Sequence, residues 1–82
     1  MFDVDWLPMA SRQFAAISVA YPNRWKDIND ADNDISWKLE RDPLKHSQPV
    51  SEGLRRIISN PLTVYFSIDG KQVTVEAVGW VG

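Results

Sequence analysis

The pair Asp69-Gly70 is the feature of this sequence that most constrains its fold. Both residues accept the positive φ of a two-residue hairpin turn, and apolar residues alternate with polar ones on either side. The alternating apolar positions share one strand face before the turn and one after it: Leu62, Val64, Phe66 and Ile68, then Val73, Val75 and Ala77. Pairing of these two strands predicts an apolar sheet surface that other parts of the chain must cover.

A short strand and a first helix precede this hairpin. Phe2, Val4 and Trp6 alternate with acidic residues, which predicts a strand with one buried side. Pro8 marks the start of a helix, because its missing N–H falls where a helix leaves that group unpaired. The helix is predicted over residues 9–21, and its apolar stripe is Ala10, Phe14, Ile17 and Tyr21.

A second helix is predicted over residues 24–41, with Asn23 as its N-terminal cap. Asp42-Pro43 ends it, because the residue before a proline avoids the helical conformation. The predicted core-facing stripe is Trp25, Ile28, Ala31, Ile35 and Leu39. Acidic side chains are spread around its first half: Asp27, Asp30, Asp32 and Asp34. We interpret them as a solvated surface, or alternatively as contacts for a basic partner, and not as a metal site.

The segment over residues 44–51 contains Pro49 and polar residues, and it is predicted to be a loop or at most a short edge strand. Strand patterns then run from Leu54 to Trp80. The order β-α-α-β-β-β predicts one α+β domain over residues 1–82, with a helical hairpin packed on one face of a mainly antiparallel twisted sheet.

Composition narrows the classes of function. The chain has 82 residues, no cysteine and a formal net charge of −2, so it lacks both a disulfide framework and the overall basic charge of most nucleic-acid binders. No apolar run approaches the roughly 20 residues needed to span a bilayer. Phosphate-binding loops and clusters of metal ligands are absent from the sequence. We expect a cytoplasmic protein with no cofactor, no metal, no membrane contact and no small-molecule substrate.

The order of the predicted elements, together with their residues, resembles the RelE/ParE toxin superfamily of type II toxin–antitoxin systems. The resemblance is to a divergent branch of that superfamily. The resemblance covers nearly the whole chain. The segments that carry it are Trp6 with Pro8 and Ala10, the helix ending at 35–43, Gly53-Leu54-Arg55-Arg56, and the two strands at 61–69 and 73–80. The resemblance implies a toxin of this fold, together with a cognate antitoxin that wraps the toxin and blocks it.

The resemblance also implies a choice of targets, since some members are ribosome-dependent mRNA endonucleases and others poison DNA gyrase. Cutting RNA without a metal needs a general base, cations for the phosphate and a proton donor. The candidates for these roles are Arg55, Arg56 and His46. Adjacent strand residues point to opposite faces, so one arginine is expected on the open face. The alternative is that one arginine is solvated and the other pairs with an acid such as Glu76.

Two departures from the nuclease branch predict a degenerate or atypical active site. Leu62 stands where that branch often carries arginine, and Trp80-Val81-Gly82 stands where it carries basic residues and a tyrosine. We therefore expect a toxin that does not cut mRNA efficiently. An endonuclease with an altered site, a gyrase-directed toxin and a non-toxic interaction module are the alternatives.

The tryptophans are candidates for binding a partner, because exposed aromatic side chains are favoured anchors at interfaces. Trp6 and Trp25 belong to core patterns, whereas Trp37 lies off the apolar stripe and Trp80 ends the last strand. Trp37 and Trp80 are accordingly predicted as partner-binding residues. Packing at the margin of a small core is the alternative for both.

Overall fold

The computed structural model describes residues 1–82 as seven regular elements joined by short turns. In chain order these are β1 (Asp3–Trp6), α1 (Pro8–Ala20), α2 (Trp25–Arg41), β2 (Gln48–Ser51), β3 (Leu54–Ser59), β4 (Leu62–Asp69) and β5 (Gln72–Trp80). A single 3-10 turn, Pro22–Arg24, joins the two helices. The predicted α+β architecture with a helical hairpin is confirmed.

The sheet has five strands in the order β1-β5-β4-β3-β2. Antiparallel pairing joins β2 through β5, while β1 lies parallel to β5. The fifth strand is β2, an exposed edge strand within the segment predicted as a loop or a short edge strand. The predicted hairpin joins β4 to β5, but its two-residue turn is Gly70-Lys71 and not Asp69-Gly70. Asp69 pairs with Gln72 as the last residue of β4 and does not take a positive φ, whereas Gly70 has a φ of 60°, which a side chain would disfavour.

Both helices cover the same face of the sheet. The core cluster combines one residue from α1, four from α2 and seven from the strands: Ala10, Ile28, Ala31, Ile35, Leu39, Ile57, Leu62, Val64, Phe66, Val73, Val75 and Val78. The opposite face of the sheet carries no helix, and we call it the open face. Leu62 is fully buried in this core, so its apolar character reflects packing against the helices and not the chemistry of the open face.

A β-bulge in β5 changes which of its residues reach the core. Tyr65 pairs with Ala77, but its neighbour Phe66 pairs with Val75, which leaves Glu76 as an extra residue. The side chains beyond the bulge therefore shift by one, so Val78 is buried where the simple alternation placed Ala77. The Val78 amide donates a hydrogen bond to Gln13 Oε1 at 2.8 Å, which links the bulged strand to α1.

Two details of the helical hairpin were predicted wrongly. Trp25 was assigned to the core stripe, but it is 63% exposed, because α2 begins at this residue and its first turn extends beyond the edge of the core. Asn23 was assigned as the helix cap, but it lies inside the 3-10 turn, and the residue preceding α2 is Arg24, which makes no side-chain capping bond. Neither helix is long and apolar enough to cross a bilayer.

Candidate functional site

His46 and Arg56 line one cavity at the edge of the open face. The cavity has a volume of about 170 Å³, and its walls are His46, Gln48, Arg56 and Ile58. Strand pairing explains part of this arrangement, since Gln48 lies opposite Arg56 and Arg56 lies opposite Tyr65. Arg56 takes part in no ion pair, and the predicted pairing of an arginine with Glu76 is not formed. The cavity therefore presents a free guanidinium and an imidazole to solvent, a combination that suits an anion.

Arg55 lies on the other side of β3, as the alternation of strand residues predicts. Its Nε donates to Ser47 Oγ at 2.8 Å, and its Nη2 donates to the Ser47 carbonyl at 3.1 Å. A longer bond of 3.4 Å reaches the carbonyl of Leu44. These bonds fasten the turn before β2 to β3. Arg55 is thus engaged in structural bonds on the face opposite to the cavity that contains His46 and Arg56.

The outer surface of the helical hairpin exposes large apolar side chains. Trp37 is 53% exposed, in agreement with its predicted position off the core stripe, and the guanidinium of Arg41 lies 4.5 Å from the centre of its ring. Trp25 and Val19 are also exposed, and they lie close to the turn between the helices. A tryptophan that is exposed to this extent remains available to a partner.

Trp80 has a different environment from Trp37. It is only partly exposed, it packs against the core cluster, and Tyr21 stacks on its ring. The guanidinium of Arg24 lies 5.2 Å from the centre of the same ring. Much of the Trp80 ring is thus already in contact with the chain itself, which leaves a smaller surface for a partner than Trp37 presents.

The aspartates of α2 have three different environments. Asp27 pairs with Arg24 at 2.8 Å and Asp34 pairs with Lys38 at 2.9 Å. The Lys38 hydrogen bond is the largest influence on Asp34 and lowers its pKa, although burial acts in the opposite direction; Ser59 and His46 make smaller contributions that also lower it. Asp30 is exposed. Asp32 is partly buried beside Trp6, in a cavity that the sequence pattern gave no signal for, because its walls come from three elements far apart in the chain.

Solved structures of toxin–antitoxin systems share this architecture over nearly the whole chain. The chromosomal ParDE system from P. aeruginosa matches with a TM-score of 0.80 at 20% identity, covering 100% of this chain and 98% of that chain. The chain has the RelE/ParE toxin fold. The RelBE2 toxin–antitoxin complex from Mycobacterium tuberculosis matches with a TM-score of 0.68 at 17% identity, covering 96% of each chain. The E. coli DinJ-YafQ complex matches with a TM-score of 0.66 at 16% identity, covering 98% of this chain and 93% of that chain.

No protein-family model and no curated protein sequence matches the chain. The RelE/ParE toxin fold is thus retained here with little sequence identity. Identity of this level establishes the backbone arrangement, and a fold of this kind can host different activities. The chemistry of this toxin-fold chain has to be argued from its own side chains.

Proposed function

We propose that this protein is the toxin of a type II toxin–antitoxin pair and that a cognate antitoxin binds and neutralises it. The observation that carries the proposal is the agreement of the fold along its entire length with the P. aeruginosa ParDE system, at a TM-score of 0.80. The match leaves no part of this chain unaccounted for, so the likeness concerns the whole domain and not one common motif.

The surface of the helical hairpin supports a protein partner. Val19 of α1 is 80% exposed, and Trp25 and Trp37 of α2 are 63% and 53% exposed. Exposed aromatic side chains are favoured anchors at protein interfaces. Tryptophan in particular provides a large, rigid contact area that loses little conformational entropy on binding.

The proposal is tested by inducing the protein in a bacterial host and following growth, with and without the product of the adjacent open reading frame. We expect growth arrest from this protein alone and relief when both are present. The two products should also purify together as one complex. Continued growth, together with failure of the two products to associate, would overturn the proposal.

Variants locate the antitoxin surface. Trp37→Ala and Trp25→Ala should each weaken the complex by about tenfold or more, as the loss of an interface anchor usually does. Val50→Ala is the matched control, because Val50 is also exposed, at 48%, but it lies on the edge strand β2. Loss of affinity from Val50→Ala alone would place the antitoxin on the sheet edge. Trp80→Ala tests the other predicted anchor.

For the activity of the toxin, we propose a site with too few catalytic groups for efficient mRNA cleavage. The cavity on the open face contains one arginine and one histidine, and Arg55 is bound to carbonyl groups on the opposite face. Stabilising a pentavalent phosphate usually draws on several cationic groups or hydrogen-bond donors. A site with so few catalytic groups also agrees with an antitoxin-bound protein that acts on DNA gyrase, or with one that serves only as an interaction module.

Ribosome-dependent RNA cleavage is the second candidate, and the observation in its favour is that His46 and Arg56 line one cavity. Mapping transcript ends after induction distinguishes the candidates. We expect no codon-positioned cleavage. Cleavage that Arg56→Ala and His46→Ala abolish would select the endonuclease, whereas gyrase-dependent DNA damage would select the gyrase-directed toxin. Any effect of Arg55→Ala on cleavage has to be compared with the folding stability of that variant, because Arg55 makes structural hydrogen bonds.

A further inference from the structure

A second cavity lies where β1, α1 and α2 meet, away from His46 and Arg56. It has a volume of about 250 Å³, and its walls are Trp6, Ser11, Phe14, Asp32 and Ser36. Trp6 ends β1, Ser11 and Phe14 lie on α1, and Asp32 and Ser36 are one turn apart on α2. The walls thus combine a carboxylate, two hydroxyl groups and two aromatic rings.

The carboxylate in this cavity has no partner within the chain. Asp32 makes no ion pair and no side-chain hydrogen bond, although Asp27 and Asp34 of the same helix each hold a cation within 3 Å, at 2.8 and 2.9 Å. Partial burial raises the pKa of Asp32, because removal from water disfavours the charged form. Ser11 and Ser36 also form no hydrogen bond through their hydroxyl groups. A partly buried acid without compensation is unfavourable unless a ligand supplies the missing charge.

The aromatic rings of the cavity favour a cation of a particular shape. Trp6 and Phe14 pack edge to face, with ring centres 5.8 Å apart and planes at 81°. A guanidinium is planar and weakly hydrated, packs well against aromatic rings and binds a carboxylate through two parallel hydrogen bonds. Its remaining N–H groups suit hydroxyl acceptors such as those of Ser11 and Ser36. An ammonium group is more strongly hydrated and lacks the planar shape.

We propose that this cavity receives an arginine side chain from a protein partner, with its guanidinium paired to Asp32 and packed against Trp6 and Phe14. The identification of that partner as the antitoxin rests on the proposed function. The cavity's preference for arginine does not, because it follows from the charge and shape of its walls. Charge complementarity of this kind fixes the register of a partner segment more than it adds raw affinity.

The preference for arginine is tested by titrating the free protein with N-acetylarginine amide and recording its amide and carboxyl resonances by NMR. At about 50 mM ligand, which reveals binding in the millimolar range, we expect saturable shifts confined to the five cavity residues and a lowered pKa of Asp32. N-acetyllysine amide and N-acetylcitrulline amide should shift the same resonances much less. Equal responses to arginine and lysine, or no saturable shift, would overturn the proposal.

Substitutions complete this test. Asp32→Asn should abolish the arginine response, and Asp30→Asn is the matched control, because Asp30 is exposed and lies two residues away on the same helix. Since asparagine removes an unfavourable charge, the Asp32→Asn variant is expected to fold, and well-dispersed amide resonances verify this. A full arginine response in Asp32→Asn would refute the role of the carboxylate.

The partner is tested separately in the complex with the product of the adjacent open reading frame. Asp32→Asn should raise the dissociation constant by about tenfold or more, as breaking a partly buried charge pair does, whereas Asp30→Asn should change it by less than about twofold. An arginine response in the free protein without any such complex would leave the cavity's specificity standing and refute the toxin–antitoxin proposal. A complex that tolerates Asp32→Asn would show that the antitoxin does not occupy the cavity.

Discussion

Tyr21 and Trp80 stack face to face, with ring centres 3.8 Å apart and planes within 5° of parallel. Tyr21 directly follows α1, and Trp80 is the last residue of β5, so the contact joins the end of the first helix to the end of a central strand. The two residues are 59 positions apart in the sequence. Their contact fixes the turn of the helical hairpin over the end of the sheet, close to the exposed Trp25.

We predict that this stack contributes measurably to stability. Tyr21→Ala and Trp80→Ala should each lower the free energy of unfolding, Trp80→Ala by about 3 kcal/mol because it also packs against the core. The double-mutant cycle should give a coupling energy of about 0.5–1.5 kcal/mol, the range measured for aromatic pairs. Urea denaturation followed by circular dichroism measures the unsubstituted protein, the two single variants and the double variant. Strictly additive effects would show that the stack is not an energetic contact.

The adjacent arginines of β3 should differ sharply in their effect on folding. Arg55→Ala removes bonds to Ser47 and Leu44, so we expect a loss of about 1–3 kcal/mol in the free energy of unfolding. Arg56→Ala should change it by less than about 0.5 kcal/mol, because Arg56 makes no ion pair and lines a surface cavity. Chemical denaturation compares the two variants, and each serves as the control for the other. Equal losses would contradict the structural role given to the hydrogen bonds of Arg55.

Local patterns in the sequence predicted the elements of this fold well. The chain turns at Gly70 because few residue types accept its positive φ, although the turn is Gly70-Lys71, one residue later than predicted. The stripe from Ile28 to Leu39 is buried because helical spacing puts those residues on one side. Alternation failed at Glu76, where one extra residue shifts every later side chain of β5. A bulge depends on pairing with the neighbouring strand, which the alternation of a single strand does not reveal.

The candidate sites were predicted less completely than the elements. His46 and Arg56 were proposed from their residue types, and the structure places both in one cavity, but the engagement of Arg55 by Ser47 depends on the turn before β2. The cavity around Asp32 had no sequence signal. Its walls come from residues 6 to 36, and only the packing of α1 and α2 on the sheet brings Trp6 and Asp32 together.

The pair of Asp34 and Lys38 should make stability depend on pH below neutrality. The Lys38 hydrogen bond lowers the pKa of Asp34 from its ordinary 3.8, so the pair stabilises the folded state above pH 3.8 and loses this effect as the pH falls through the lowered pKa. Lys38→Met should therefore cost about 0.3–0.5 kcal/mol at neutral pH, the usual worth of an exposed helical pair, and less in acid. Lys26→Met is the control, because Lys26 is an exposed lysine of α2 without an acidic partner. Denaturation at several pH values measures the free energy of unfolding of both variants. If Lys38→Met is equally destabilising in acid, the loss comes from the packing of the Lys38 side chain and not from the ion pair.

Asp32 should affect stability with the opposite sign. Burial raises its pKa above 3.8, so the folded chain binds more protons than the unfolded chain as the pH rises from 3.8 through the raised value, and stability falls across that window. The charged form is then a net cost at neutral pH. We expect Asp32→Asn to raise the melting temperature by a few degrees at most at pH 7, since solvent reaches part of the side chain. The rise in melting temperature should become smaller as the pH is lowered, and Asp30→Asn should cause no rise. Thermal unfolding at a series of pH values checks this, and a lower melting temperature for Asp32→Asn at pH 7 would mean that the folded chain already compensates the charge.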